Sequence, residues 1–396
     1  MNLITKVHYF LYYTNYIQKN IEQLTTFQRK IIGKTYKICN FAKKLSHMYK
    51  NYKVIANTAA GRRRYMQYLV PYILSSDIID QYDIWVNTNN GADTEFFRLL
   101  ANMYPKINLV WQPDGYVDGI SSINSFYKTC TDNNTIYFKL DDDIVWMQPD
   151  TIELMVKFRV EHPNYFLVSP LVINNSLCTY LMQIRNKISI SHYCRSNPFS
   201  AVMWRDGHFA YCLHKWFQKC IENDTYKSLH LGAQPVAMCR FSINAILWFG
   251  KDFRDFQGIV TGDDEEFLSC IYPSIIGKSN CINGDAILAH FAFYPQREIL
   301  DQKNILDKYR MINLESWNKN KSSITDTYKN VQEILNYINI NANKLEPLSA
   351  YKNVPAKSKA NIHNYIKKIT PKSLEHIKHT LEEERIYKKI KIIDVS

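Results

Sequence analysis

Three consecutive aspartates, Asp141, Asp142 and Asp143, stand between the apolar run Thr135 to Leu140 and the apolar Ile144-Val145-Trp146. A chain that enters and leaves a core on either side of three carboxylates holds them at the mouth of a buried strand, where they repel one another and lose solvent. A divalent cation is the usual partner of such a cluster, so the expected chemistry is metal-assisted and acts on a phosphorylated substrate. A second acidic cluster, Gly262-Asp263-Asp264-Glu265-Glu266, opens a helical pattern with Phe267, Leu268 and Ile271 on its inner side. Acidic residues in a first helical turn are favoured by the macrodipole alone, so the cluster reads either as a helix start or as carboxylates serving the same site. His290 follows the short strand pattern Ala286 to Ala289 and adds an imidazole. Carboxylates at one strand end, more on a facing helix and a histidine near the end of the domain make a coherent metal and base constellation.

The elements that must position these groups begin at about Lys53. Strand patterns over Lys53 to Asn57, Tyr82 to Asn87, Ile107 to Trp111 and Thr135 to Leu140 alternate with helical patterns over Arg62 to Leu74, Thr94 to Met103 and Ser121 to Cys130. Such alternation predicts an α/β fold with a mostly parallel sheet and right-handed crossovers. Ligands bind such sheets beyond the carboxyl ends of the strands, where the aspartates, Thr58 to Arg64 and Asn87 to Asn90 fall. Gly61 followed by Arg62, Arg63 and Arg64 could meet a phosphate or a base edge at a helix N-terminus, or form an ordinary turn into a basic helix face. Further on, Thr151 to Val160 reads as a helix and Phe166 to Ile173 as a strand. Residues 174–240 break the pattern and read as an acceptor-side insertion, with Trp204, His208 and Trp216 either stacking on sugar or packing in a core. Asn341 to Lys359 reads as a linker and Lys372 to Ile393 as a charged terminal helix, so residues 311–396 form a helical extension.

A formal charge of +12 on 396 residues first suggests anionic partners. Its location argues otherwise: ten basic side chains from Lys6 to Lys53 face the single acid Glu22, so most of the excess lies in an N-terminal arm over 1–52. That arm, rich in Tyr and Phe, reads as a solvated helical extension or as a peripheral contact to an anionic membrane face. No nucleic acid is expected at the site, because the excess charge is not spread around it. The nine cysteines are scattered and include no CxxC pair, which argues against structural zinc and a disulfide framework. With no signal-peptide pattern and no apolar stretch of spanning length, a cytoplasmic location is expected, either free or associated with a membrane.

Taken in order, Lys139-Leu140-Asp141-Asp142-Asp143, Gly262-Asp263-Asp264-Glu265-Glu266-Phe267-Leu268 and Ala289-His290-Phe291 resemble the nucleotide-sugar glycosyltransferases of the GT-A fold, including enzymes of large DNA viruses and fungi. The resemblance covers about residues 53–310. It implies that Asp141 and Asp143 are the first and last members of a DxD motif, Asp143 a direct metal ligand, and that His290 completes the metal set. It implies Asp264 as the base that deprotonates the acceptor hydroxyl in inverting members, with Glu265 as the fallback. Asp141, Asp142 and the basic turn Arg62, Arg63 and Arg64 are grouped on the donor-binding side. The implied cofactor is Mn2+ or Mg2+, the donor a nucleotide sugar, and the acceptor a glycan, protein or lipid. Two other enzyme classes stay open on the residues: a two-metal nuclease or phosphotransferase built on Asp141, Asp143, Asp264 and Glu265, and a sugar-phosphate nucleotidyltransferase. A calcium-binding module is disfavoured because neither cluster has the glycine spacing of a calcium loop.

Overall fold

The computed structural model describes residues 51–119, 121–319 and 323–345, together with the dipeptides Lys352–Asn353 and Ile392–Ile393. The expected N-terminal arm lies outside the described residues up to residue 50, and so does most of the expected linker. The terminal helix expected from Lys372 also lies outside them, except that Ile392–Ile393 forms a strand against Ser189–Ile190.

Among the described residues, nine strands form one mixed sheet. They are β1 (Lys53–Ala60), β2 (Gln81–Val86), β3 (Ile107–Trp111), β4 (Thr135–Leu140), β5 (Ile144–Met147), β6 (Val168–Ile173), β7 (Ala233–Val236), β8 (Ala245–Phe249) and β9 (Asn280–His290). The strand order is β3-β2-β1-β4-β8-β6-β9-β5, and β7 pairs with the first half of β9. The run β3-β2-β1-β4 is parallel throughout. Antiparallel β8 then joins β4 to β6, which is parallel to β9. This is the mostly parallel, Rossmann-like α/β sheet of the GT-A type that the sequence leads one to expect.

The sheet cannot be flat. β4 and β5 are joined by three residues yet stand four places apart. Four residue steps reach at most about 14 Å, whereas four strand spacings need about 19 Å. The sheet therefore curls between β4 and β5, helped by irregular register in β9 between Asn283 and Ile287. Asp141, Asp142 and Asp143 form the link across the curl.

Helices cover the sheet: α1 (Arg63–Leu74), α2 (Gly91–Met103), α3 (Thr151–Glu161), α4 (Ser176–Ile184), α5 (Gly207–Glu222), the short α6 (Asp264–Glu266), α7 (Arg297–Gln302), α8 (Ile305–Lys319) and α9 (Ser323–Asn341). None of the described helices is long and apolar enough to cross a membrane. β1 runs three residues past the expected Asn57 because small Ala59 and Ala60 continue the ladder against Trp85 and Val86. Thr58 is thus part of the strand, and the ligand-side turn narrows to Gly61 and Arg62. The expected helix over Ser121 to Cys130 is instead a 3-10 helix, Ser121–Thr129. Serine hydroxyls that bond nearby groups compete with an α-helix there: Ser122 donates to Asn87 Oδ1 and Ser125 to Gln112 Oε1. The segment 174–240, whose elements the sequence left unread, supplies α4, α5 and sheet strand β7.

α8 and α9 pack on the rest of the fold, α9 lying against α1 and α2. Asn313 of α8 is fully buried, donates to Val145 O at 2.9 Å and accepts from the Tyr72 hydroxyl at 3.0 Å. Replacing Asn313 by Leu strands a strand carbonyl and a buried hydroxyl. The expected loss is about 1–3 kcal/mol, read as a lower urea midpoint with unchanged slope; an unchanged midpoint would mean that α8 does not share the cooperative unit.

Candidate functional site

A cavity of about 330 Å³ opens at the carboxyl ends of β1 and β4. It is lined by both acidic clusters, by His290 and by Arg62, Lys139, Arg240 and Arg297. The sequence thus brings together residues from 62 to 297 by ending strands and starting helices at one rim.

The aspartate turn divides its side chains. Asp142 is buried and turns to the neighbouring strand end, where it accepts from Gly61 N at 3.2 Å and from Arg62 Nε at 3.1 Å, with Arg62 Nη2 on its other oxygen. Asp141 and Asp143, at either end of a turn closed by Ile144 N on Asp141 O at 3.3 Å, both line the cavity. Arg62 Nη2 also reaches Asp143 Oδ2 at 3.1 Å. Burial pushes the Asp143 carboxyl up, but Arg62 and His290 outweigh it and hold the group below the usual carboxylate range. Burial likewise works against the Arg62 charge, yet Asp143 and Asp142 leave it more firmly protonated than usual.

β9 brings His290 to this turn. Its register places His290 opposite Ile144, and Phe291 N donates to Asp143 O at 2.8 Å. His290 Nε2 lies 3.3 Å from Asp143 Oδ1, while its Nδ1 is buried without a hydrogen-bond partner. Donor atoms of Asp141, Asp143 and His290 all fall within 4.8 Å of one another. Asp141 is steadied by Lys139 Nζ at 2.7 Å and by Asn244 Nδ2 at 3.1 Å, and Asn244 is held in turn by Asn175. A carboxylate oxygen has two lone pairs, so these bonds leave Asp141 able to ligate. Two carboxylates, an imidazole with an unsatisfied nitrogen, and a lining of six carboxylates against four permanent cations fit a divalent ion of Mg2+ or Mn2+ type.

The second acidic cluster faces this centre from α6. Gly258, at φ +64°, passes so close to Tyr127 O that a Cβ would lie 2.3 Å away, so only glycine allows the approach to this loop. Asp263 caps the helix by accepting from Glu266 N at 3.0 Å. Asp264 is buried and accepts from the Tyr127 hydroxyl at 2.9 Å. Burial raises its pKa above the usual range, opposed by Lys139 and by the Tyr127 hydrogen bond. Glu265 is also raised by burial but is taken up by Arg240, whose guanidinium bonds it at 3.0 Å and also pairs with Asp263 and Glu266.

Asp141, Asp142, Asp143, His290, Asp264, Glu265 and Arg62 therefore meet in one cavity. Arg63 and Arg64 do not line it. Arg63 pairs with Asp93 at 2.8 Å and Arg64 with Asp301 at 2.5 Å, beside a separate cavity of about 340 Å³ under α9. Trp204 lines the site with Phe199, His208 is exposed on α5, and Trp216 packs in the core against Phe217. Lys139, Tyr127, Arg240, Asn244 and Arg297 were missed by sequence reasoning. Lys139 carried a signal, since a lysine inside an otherwise apolar strand needs a buried counter-charge.

No family model and no curated protein matches the chain. Among solved structures it is similar to glucosyl-3-phosphoglycerate synthase from Mycobacterium tuberculosis in complex with phosphoglyceric acid, at 12% identity and a TM-score of 0.26, over 32% of this chain and 46% of that one. The same enzyme in complex with Mn2+, uridine diphosphate and phosphoglyceric acid matches at 12% identity and a TM-score of 0.27, over 33% and 46%. A 4-diphosphocytidyl-2C-methyl-D-erythritol synthase from Anaerococcus prevotii matches at 13% identity and a TM-score of 0.24, over 31% and 56%. The chain spans less than half of the first enzyme's length and little more than half of the second's.

Removing Arg62 as Arg62→Met leaves Asp142 and Asp143 without their shared cation. Breaking a buried pair costs roughly 3–5 kcal/mol, and the partial exposure of Arg62 puts the expected loss at the lower end. Because the folded Asp143 carboxyl is held down, the stability it contributes is present above the unfolded value of about 4 and is lost as pH falls through the lower folded value. The wild-type advantage in urea midpoint, measured in chelator, should therefore be largest at pH 7 and shrink below pH 4.

Proposed function

We propose that this protein is a metal-dependent glycosyltransferase of the GT-A type. It moves a sugar from a nucleoside-diphosphate sugar to an acceptor hydroxyl and inverts the anomeric centre, with Asp264 as base. The observation that carries the reading is the meeting, in one cavity at the strand ends, of a ligand trio (Asp141, Asp143, His290) and a separate buried carboxylate of raised pKa.

Asp141, Asp143 and His290 would hold Mn2+ or Mg2+, the imidazole favouring Mn2+. When bound, that ion supplies charge neutralisation to the leaving diphosphate. Asp264 takes the proton of the acceptor hydroxyl, whose oxygen bonds to the anomeric carbon while the bond to the diphosphate oxygen breaks and its electron pair leaves with the diphosphate. Its raised pKa makes it a stronger base than an exposed aspartate, and Tyr127 aims it. Arg240 removes Glu265 from competition for this role. Asp142 positions the turn through Gly61 and Arg62 and does not ligate.

The two-metal reading receives less support, because Asp264 and Glu265 do not join the ligand trio and no second trio occurs among the described residues. The nucleotidyltransferase reading is separated by the substrate: it requires a nucleoside triphosphate and releases pyrophosphate.

A panel of nucleoside-diphosphate sugars with Mn2+, monitored for nucleoside diphosphate release, tests the proposal. Asp143→Ala should lose metal-dependent donor binding and turnover, whereas Asp264→Asn should keep donor affinity within about twofold and lower turnover by about 100-fold or more. Full Mn2+-dependent donor affinity in the Asp143 variant would sink the site assignment.

Transfer should also fall on the acid side at a pH above the ordinary carboxylate range, since only the ionised Asp264 accepts a proton. Tyr127→Phe removes a hydrogen bond that lowers the Asp264 pKa, so the acid limb should move to higher pH. A limb that stayed in place or moved down would exclude Asp264 as the group that titrates.

A further inference from the structure

Residues 174–205 carry four basic side chains, Arg185, Lys187, Arg195 and Arg205, and no acidic one. Arg185 donates to Gln234 Oε1 at 3.1 Å and Lys187 to Ser228 O at 2.7 Å, neutral acceptors that leave the positive charge in place. The same segment shows large rings to solvent: Tyr193 is 60% and Phe199 55% exposed. The Arg240 guanidinium lies 4.5 Å from the centre of the Phe199 ring, which joins this segment to the loop that carries Met238. Met238 is 83% exposed and sits in the left-handed region at φ 51°, a conformation that side chains rarely adopt. Backbone strain that brings no burial points to a use outside the fold.

This face borders the site. Phe199 and Trp204 line the site cavity, Arg205 lies 5.3 Å from the centre of the Trp204 ring, and Tyr294, 79% exposed, lines the cavity from the segment after His290. α6 brings Asp263 and Glu266 nearby, but both pair with Arg240. The unbalanced acids lie elsewhere. Asp77, Asp150 and Glu153 line a cavity of about 600 Å³ beyond the carboxyl end of β5, which runs antiparallel to β9 and so points away from His290. Glu222, Asp224 and Glu315 line a further cavity of about 440 Å³ with the single cation Lys319.

We propose that the face formed by residues 184–205 and Met238 docks on an anionic lipid surface and holds the mouth of the site cavity against it. The inference goes beyond the glycosyltransferase reading and does not depend on which reaction the cavity performs. Exposed rings and a methionine suit the boundary between headgroups and acyl chains, and arginines beside them suit anionic headgroups. A fitted protein partner would call for an apolar centre with a polar rim, whereas here cations and rings interleave along one segment. Charge also sets the orientation, because an anionic surface attracts this face and repels the acidic far end of the sheet.

The test is flotation of the full chain with vesicles of phosphatidylcholine alone and of phosphatidylcholine with phosphatidylserine. Wild type should float with the second kind and far less with the first. Tyr193→Ser combined with Met238→Gly removes two inserted side chains, and glycine eases the backbone at a positive φ. Binding should fall by roughly 10-fold, and the loss should persist at high salt, where attraction of the basic arm over 1–52, present in every variant, is screened. Arg195→Gln, a change at an exposed position, should weaken binding by about fivefold at low salt. Both variants should keep the wild-type urea midpoint. If wild type floats and the double variant floats equally well, another part of the chain holds the membrane and the proposal is overturned. It is overturned as well if wild type floats with neither vesicle, and the glycosyltransferase reading stands in both cases.

Discussion

The ion cluster of Arg62 with Asp142 and Asp143 is the constraint on which the site depends. Three adjacent carboxylates at a strand end repel one another, and Asp142 and Asp143 are both buried. Asp142 meets this by turning to Gly61 N and the Arg62 fork, which ties the turn after β4 to the turn after β1. Since β1 and β4 are parallel neighbours in fixed register, with Asn57 opposite Lys139, the two turns stand at the same height. Ile144 N donates to Asp141 O at 3.3 Å and closes a tight turn, from which Asp141 and Asp143 reach the cavity beside His290. The one-residue spacing of the two potential ligands thus belongs to a turn, and the intervening Asp142 is engaged by Gly61 and Arg62.

The curl of the sheet supplies the third member. A flat sheet would carry β5 away from β4, and with it the partner strand β9. Because the link is short, β9 ends beside the aspartate turn, and the bond from Phe291 N to Asp143 O closes the junction. A register shift between Ala289 and His290 re-aims the imidazole, as irregularities near sites commonly do. His214, buried between the Tyr309 hydroxyl and Phe291 O, braces the same backbone from α5. The helices after β9 belong to this bracing too, since Asn313 reaches Val145 in β5.

Much of the frame was legible because period and polarity change sharply there. Thr135 to Leu140 and Ile107 to Trp111 coincide with β4 and β3, and both acidic clusters lie at element ends where charge is tolerated. Segment 174–240 was opaque because α5 mixes His, Lys, Trp and Cys, and β7 is a four-residue strand containing Pro235. The arginine run was legible only in part: a sequence shows three cations but not that Asp93 and Asp301 draw two of them away. Nor could spacing disclose Tyr127 and Arg240, which act on α6 across long separations in the chain. Tyr127 stands there through the tertiary approach that Gly258 permits, and Arg240 through its pairs with Asp263, Glu265 and Glu266.

The allocation of charge within the cavity separates the tasks of otherwise similar groups. Six carboxylates line it, yet each stands in a different field. Asp143 is held ionised by Arg62 and His290, which suits a permanent ligand. Asp264 is buried with a single hydroxyl donor and a more distant lysine, so its proton affinity rises. Glu265 is less buried and is paired with Arg240. Environments that push the pKa values of neighbouring carboxyls apart are how one fold assigns ligand and base from one residue type. Here the separation is set by cations anchored on strands and pinned turns, so it is in place before any substrate arrives. In the proposed transfer, such a field needs little reorganisation when charge moves from an acceptor oxygen to a leaving phosphate.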